Sequence, residues 1–264
     1  MQFGRNNVFL HTNFYENESG NGMERRAIVV GASSGIGLEV ARLLRQRGWT
    51  VGVAARRVER LAEFEYRAQI DVCDADAGQR LVELVGRVGG MDLYFHASGI
   101  GHQNRELKED IELHTVETNG MGFTRMVGTA FRYMAGQGGG HIAVISSIAG
   151  TKGLGPAPAY SATKALQNTY IQALEQLANA RRLGIRFTDL RPGFVATDLL
   201  NDGRHYPMLL DPVAVARDMV DSIERRRHVR VIDWRWRILT WLWRRIPRWL
   251  WRRFWGSERG VKGE

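Results

Sequence analysis

The feature that most restricts the fold is a change of period near residue 31. Arg26 to Gly31 is a short run of apolar, mostly β-forming residues. It breaks into Gly31-Ala32-Ser33-Ser34-Gly35-Ile36-Gly37, and from Gly35 to Arg47 the apolar residues recur at helical spacing. A strand passing through such a turn into a helix has a specific use for each glycine. Gly31 permits the tight turn, Gly35 lets backbone approach a pyrophosphate, and Gly37 lets the helix pack on the sheet. Ser33, Ser34 and Ile36 complete the turn, and the helix amino terminus adds free N–H groups and a positive dipole.

The same alternation continues down the chain. Strands are expected at Thr50–Ala55, Tyr66–Asp71, Met91–Ala97, His141–Ser147, Ile185–Leu190 and His228–Ile232. Helices are expected at Val58–Phe64, Ala75–Val88, Glu109–Ala135, Pro158–Arg182 and Asp211–Arg226. Strands alternating with helices imply an α/β fold: a doubly wound (Rossmann) parallel sheet of seven strands with helices on both faces. No internal repeat or linker divides it. The reading is one domain over 23–233, a disordered extension over 1–22 with Met23 as the candidate start, and a tail over 234–264.

Charge is placed unevenly. The 264 residues carry a formal +9, yet Arg225 to Trp255 alone holds eleven arginines against one acid, Asp233. The body is therefore close to neutral. Seven of the eight tryptophans also lie between Trp234 and Trp255. No stretch reaches the length of a membrane span, and residues 1–22 lack the apolar core of a secretory signal. The single cysteine, Cys73, excludes an intramolecular disulfide and a cysteine-rich metal site, and no metal is assigned. It is expected to be a small core residue.

Several positions carry chemistry. The second strand ends at Arg56 and Arg57, where a fold preferring NAD would place an acid, and two arginines suit a 2′-phosphate. Tyr160 and Lys164 lie four apart on one helix face. Ser147 closes a strand at the carboxyl edge, where ligands bind in such sheets. Asn119 interrupts a helix that asparagine does not favour, which invites a functional reason. His96 ends the fourth strand and is read as structural.

Together these residues resemble the short-chain dehydrogenase/reductases, whose fingerprint T-G-x-x-x-G-x-G is met here with Val30 in place of the threonine. The resemblance covers about Arg26 to Arg226. It implies a catalytic tetrad of Asn119, Ser147, Tyr160 and Lys164. It points to Arg56 for the 2′-phosphate, Asp71 and Val72 for the adenine, and Ala97 and Gly99 for close backbone approach. Pro192, Gly193, Val195 and Thr197 border the nicotinamide, and Asp198 to Leu210 forms an apolar substrate lid. The His96-Ala97-Ser98-Gly99 stretch departs from the family's N-N-A-G.

Reducing a ketone requires a hydride, expected from NADPH in preference to NADH, and a proton. Free tyrosine has a pKa of about 10, and the Lys164 ammonium is expected to lower it so that Tyr160 trades protons near neutral pH. Ser147 would hold the substrate oxygen, and Lys164 the nicotinamide ribose. The resemblance also gives Asn119 a water that relays protons to Lys164.

In the tail, Ile238, Leu239, Leu242, Trp243, Ile246, Trp249, Leu250 and Phe254 share one helical arc. Arg244, Arg245, Arg248 and Arg252 share the other, with Arg253 an exception and Pro247 a kink. That pattern suits an anionic lipid interface, so the tail is read as a peripheral membrane anchor. The competing reading docks it on the body or on a second subunit. Nucleic acid is not expected. The family's usual tetramer strand is replaced, which leaves a homodimer open. The functional expectation is an NADPH-dependent reductase of a hydrophobic, lipid-like carbonyl substrate, cytoplasmic at the inner face of the membrane. Reduction of a long-chain ketone such as 3-ketosphinganine, in membrane-associated bacterial members, fits. A 3-oxoacyl-carrier-protein reductase and a non-catalytic nucleotide-binding regulator are the alternatives.

Overall fold

A computed structural model describes residues 24–200 and 206–253. The extension over 1–22, Met23, the centre of the lid at 201–205, and Phe254 with the chain beyond it lie outside the described residues.

Seven strands form one sheet: β1 (Arg26–Val30), β2 (Thr50–Ala55), β3 (Tyr66–Gln69), β4 (Leu93–His96), β5 (Gly140–Ile145), β6 (Ile185–Arg191) and β7 (Val229–Val231). Every neighbouring pair is parallel, and the order is β3-β2-β1-β4-β5-β6-β7. Strand β1 shows why both faces are covered, because its side chains alternate. Ile28 and Val30 pack with Leu81, Leu84, Phe123 and Met126. Ala27 and Val29 pack on the other side with Val40, Leu44, Met219 and Val220. The first layer is built by α2 (Ala77–Val88), α4 (Phe123–Gln137) and α5 (Pro158–Ala180), the second by α1 (Gly35–Gln46) and α6 (Pro212–Glu224). This is the doubly wound fold expected from the sequence.

Register fixes the site. Val30 pairs with Ala54 on one side and His96 on the other. The ends of β1, β2 and β4 are therefore level, which brings Gly31, Arg56 and Ala97 to one edge. The strand order reverses between β1 and β4, the place where such sheets open a crevice.

Besides strand ends shifted by a residue or two and a 3₁₀ turn (Val58–Leu61) where a helix over 58–64 was expected, two elements differ from the sequence reading. The single helix expected over 109–135 is α3 (Glu109–Val116), a π-helical turn (Glu117–Gly122) and α4. Such turns recur at functional positions, and Asn119 lies inside this one. The strand expected to run to Ser147 stops at Ile145, because Ser147 Oγ accepts from Ala149 N at 3.0 Å and caps a short 3₁₀ turn over Ile148–Thr151.

The tail forms α7 (Trp234–Arg245) and α8 (Arg248–Trp251), split at Pro247 as expected. Trp236 and Thr240 are buried on the body, so α7 is docked. Burial of one large side chain stabilises by about 1.5–3 kcal/mol.

Candidate active site

The phosphate turn is shaped for close approach. Gly31 has φ +91°, and a Cβ there would stand 2.4 Å from Ser98 N. Ser34 precedes α1 without capping it through its side chain, so the first-turn N–H groups have no side-chain acceptor there. Ser33, Ser34, Gly35 and Ile36 line the half-buried turn, and Gly37 is buried against Gly31 O and Ala97. Such a cradle fits a dinucleotide pyrophosphate. Arg57 Nη2 lies 3.5 Å from both Ser33 Oγ and Ser34 Oγ, while Arg56 is exposed beside it. Asp71 Oδ1 accepts from Cys73 N at 3.0 Å, and Val72 is buried. Cys73 itself is half-buried, with its thiol against Thr118 Oγ1. Beyond β6, Pro192 and Val195 are buried, and Val195 bridges to Leu210. Thr197 reaches back towards the phosphate turn, with its Cγ2 3.1 Å from where a Gly35 Cβ would be.

Ser147, Tyr160, Lys164 and Asn119 converge on the edge beside this cradle. The Ser147 hydroxyl is near enough to the Tyr160 phenol to act on its pKa. Lys164, one turn along α5, has its Nζ 5.8 Å from the Tyr160 ring centroid. Gly99 brings the backbone in close: a Cβ there would meet Asn119 Oδ1 at 3.2 Å and Lys164 Nζ at 3.7 Å. The Asn119 side chain is spent on the loop after β4. Its Nδ2 donates to Ile100 O at 2.7 Å, and its Oδ1 accepts from Ile100 N at 2.9 Å. Ser146, the neighbour of Ser147, is buried on the opposite side and bonds the Asp189 carboxylate, which separates the two serines as strand alternation requires.

Electrostatics correct one expectation. Burial raises the Tyr160 phenol above its ordinary value, and the Ser147 hydroxyl only partly opposes this. The lowering expected from Lys164 is not found; its Nζ lies 5.8 Å from the Tyr160 ring centroid and is hydrogen-bonded elsewhere. It donates to Ile145 O at 3.1 Å and to Gln167 Oε1 at 3.0 Å. Burial holds Lys164 down to about 8, with Asp189 working the other way. A raised phenol is a proton donor that stays protonated at neutral pH, which suits reduction. His96, expected to be structural, lies inside the sheet. It is buried, shares a hydrogen bond with the Tyr94 hydroxyl at 2.9 Å, and is held neutral, with a pKa near 3, chiefly by burial.

Sequence reasoning missed three contributors. Gln167 is a polar residue on the inward face of α5, three positions after Lys164. Asp189 is an acid inside the apolar strand β6. Both were visible as polar intrusions at apolar positions. The third is Trp236 of the tail, whose docking on the body the sequence carried only as the competing reading. Trp236 lies against Gly193, where a Cβ would sit 2.3 Å from its ring, and meets Phe194 edge-on at 5.4 Å. Its Nε1 donates to Met208 O at 3.4 Å, and Phe194 in turn stacks on Tyr206 at 4.8 Å. Trp243 Nε1 donates to Thr151 Oγ1 at 2.6 Å, Trp251 Nε1 to Gly153 O at 2.8 Å, and Lys152 Nζ to Ile246 O at 2.7 Å. The tail thus clasps the segment after Ser147, the Gly193–Phe194 turn and, through Met208, the stretch just before α6. The rest of the apolar arc did not dock. Ile238, Leu239, Leu242, Trp249 and Leu250 are exposed, with Trp234 and Trp241.

The sequence model of the short chain dehydrogenase family matches residues 25–206. An uncharacterized oxidoreductase of Myxococcus xanthus is 34% identical over 188 residues, covering 66% of this chain and 74% of that protein. Another, from Mycobacterium tuberculosis, is 28% identical over 240 residues and covers 85% and 92%. Among solved structures, an actinorhodin polyketide ketoreductase variant with NADPH superposes with a TM-score of 0.66 at 28% identity, covering 75% of this chain and 89% of that one.

Proposed function

Because the chain belongs to the short-chain dehydrogenase/reductase family, we propose that it is an NADPH-dependent reductase of a carbonyl group on a hydrophobic, lipid-like substrate, working at an anionic membrane surface. The observation that carries the chemistry is the juxtaposed Ser147–Tyr160 pair with Lys164 one turn away, beside an uncapped glycine cradle. NADPH, when bound, supplies the hydride.

The chain's own residues do the rest. The cradle, Ser33 to Gly37, holds the pyrophosphate. Arg56 and Arg57 meet the 2′-phosphate, Asp71 and Val72 flank the adenine, and Ala97, Gly99, Pro192, Gly193, Val195 and Thr197 enclose the nicotinamide side. Ser147 holds the substrate oxygen, and Tyr160 gives its phenolic proton to that oxygen as negative charge develops. Lys164 keeps a positive charge under the reacting oxygen. Asn119 fixes the loop after β4 that closes the floor.

The lipid reading rests on the docked tail. Its outer face carries Trp234, Ile238, Trp241, Leu242 and Trp249 among exposed arginines 237, 244, 248, 252 and 253, and its inner face clasps the rim of the crevice. Apolar rings among cations fit an anionic bilayer. Among the described residues no helix is long and apolar enough to cross a membrane, so the proposed contact is peripheral. The same arginines fit an acidic carrier protein, which supports 3-oxoacyl-carrier-protein reduction as the second reading.

Cofactor oxidation tests both. Keto lipids in phosphatidylglycerol vesicles and acyl-carrier ketones are offered with NADPH or NADH. Turnover on the keto lipid, with NADPH bound at least tenfold tighter and the margin lost in Arg56→Ala, is the expected result. Equal cofactor affinities, or turnover only on the carrier-bound ketone, would overturn the respective part.

A further inference from the structure

Gln167 is fully buried, 0% exposed, on the inward face of α5. Its Nε2 donates to the main-chain carbonyl of Asn119 at 2.8 Å, and its Oε1 accepts from Lys164 Nζ at 3.0 Å. The orientation of the amide is dictated by its neighbours. Reversed, it would set its oxygen against a carbonyl oxygen and its NH₂ against an ammonium, with both interactions repulsive. The one carboxamide therefore joins the π-helical turn to the lysine.

We propose that Gln167 is a positioning residue for the reduction: a side-chain tie that fixes the Lys164 ammonium to the Asn119 turn, in the place where the family resemblance puts a proton-relaying water. This rests on the reductase reading and assigns its lysine a holder. An ammonium has three N–H bonds. Ile145 O and Gln167 Oε1 take two, which leaves one for the crevice and so fixes the direction in which Lys164 acts. A carboxamide neither gains nor loses a proton near neutral pH. The tie holds the lysine without passing protons to it, and the proton that restores Tyr160 enters from the crevice side.

The groups facing Lys164 are few. Asp189 on β6 favours its charged form, neutral His96 on β4 gives it no opposing charge, and Tyr160 lies on its own helix. Against that background Gln167 is a dipole whose removal or charging has a signed effect. In Gln167→Met both hydrogen bonds go at similar volume, the ammonium is less well solvated, and its pKa falls. In Gln167→Glu a carboxylate faces the ammonium, and its pKa rises.

The test reads Lys164 directly, by NMR of protein labelled at the lysine ε carbon without cofactor, and then the pH dependence of kcat/KM. The expected result is a Lys164 titration moved down in the Met variant and up in the Glu variant. The alkaline limb of the rate profile should move in the same sense. In the Met variant kcat should fall about tenfold and KM little. Melting curves establish that each variant is folded, and the Glu variant serves if the Met variant is not. Titrations and kcat unchanged in both folded variants would reduce Gln167 to packing and overturn the proposal. NMR shifts in a protein that oxidises no cofactor would leave the tie standing and sink the reductase reading instead.

Discussion

Helices α5 and α7 reach the same edge of the sheet and meet it in opposite ways. Helix α5 turns its polar residues inward. Ser161, Thr163, Lys164 and Gln167 are buried, and each has a hydrogen-bond partner. Helix α7 turns Trp236 and Thr240 inward and leaves Trp234, Ile238, Trp241 and Leu242 bare. A buried polar group without a partner costs about 1–3 kcal/mol, so α5 is held by a network in which each member depends on the next. The bare rings of α7 cost far less where they are, which leaves that face available for another surface. On the proposed function, chemistry is set from one helix and access to it is framed by the other.

Three variants probe that division, the largest effect first. Tyr160→Phe removes only the hydroxyl on α5. Turnover should fall about 10²–10⁴-fold while NADPH affinity, read by fluorescence titration, stays within a few-fold. Retained turnover would break the catalytic side of the comparison. Trp236→Ala empties the docking contact of α7 against Gly193 and Phe194. A loss of roughly 3 kcal/mol should appear as a lower melting temperature, and KM for the hydrophobic substrate should rise as Met208 and Phe194 lose their support. An unchanged melt would mean that α7 does not clasp the rim. Last, Trp241→Ser with Leu242→Ser and Trp249→Ser on the outer face should leave the melt unchanged and weaken co-sedimentation with phosphatidylglycerol vesicles. Equal sedimentation would deny that face its lipid partner.

Most of the body was legible because burial imposes period. Thr50–Ala55 is a strand over the residues read from the sequence, since every side chain after Thr50 is buried and neighbours on both sides fix its register. Asn119 was legible as an anomaly, although the π-helical form of its turn was not, because Glu117–Gly122 holds one apolar side chain, Met121, and so shows no period to read. Gln167 was missed for a related reason. A polar residue at an inward position is explained only by its partners, and both of them, the Asn119 carbonyl and Lys164 Nζ, are defined by tertiary structure. In the tail, sorting by a single arc grouped Ile238 and Leu242 with Trp243. Docking instead follows the Trp236, Thr240, Trp243 row, where indole N–H groups find acceptors at Met208 and Thr151, and an apolar moment carries no information about donors.

The clasp also has a direction in time. Every segment that α7 and α8 hold, from Thr151 to Met208, precedes them in the chain. In synthesis, at roughly 5–20 residues per second, the sheet with Ser147, Tyr160 and Lys164, the proposed catalytic set, is made first, and the helices that brace the mouth follow a few seconds later. A nascent chain therefore holds the residues of the proposed chemistry before those that brace its mouth. A chain cut before Trp234 would lack every one of these contacts.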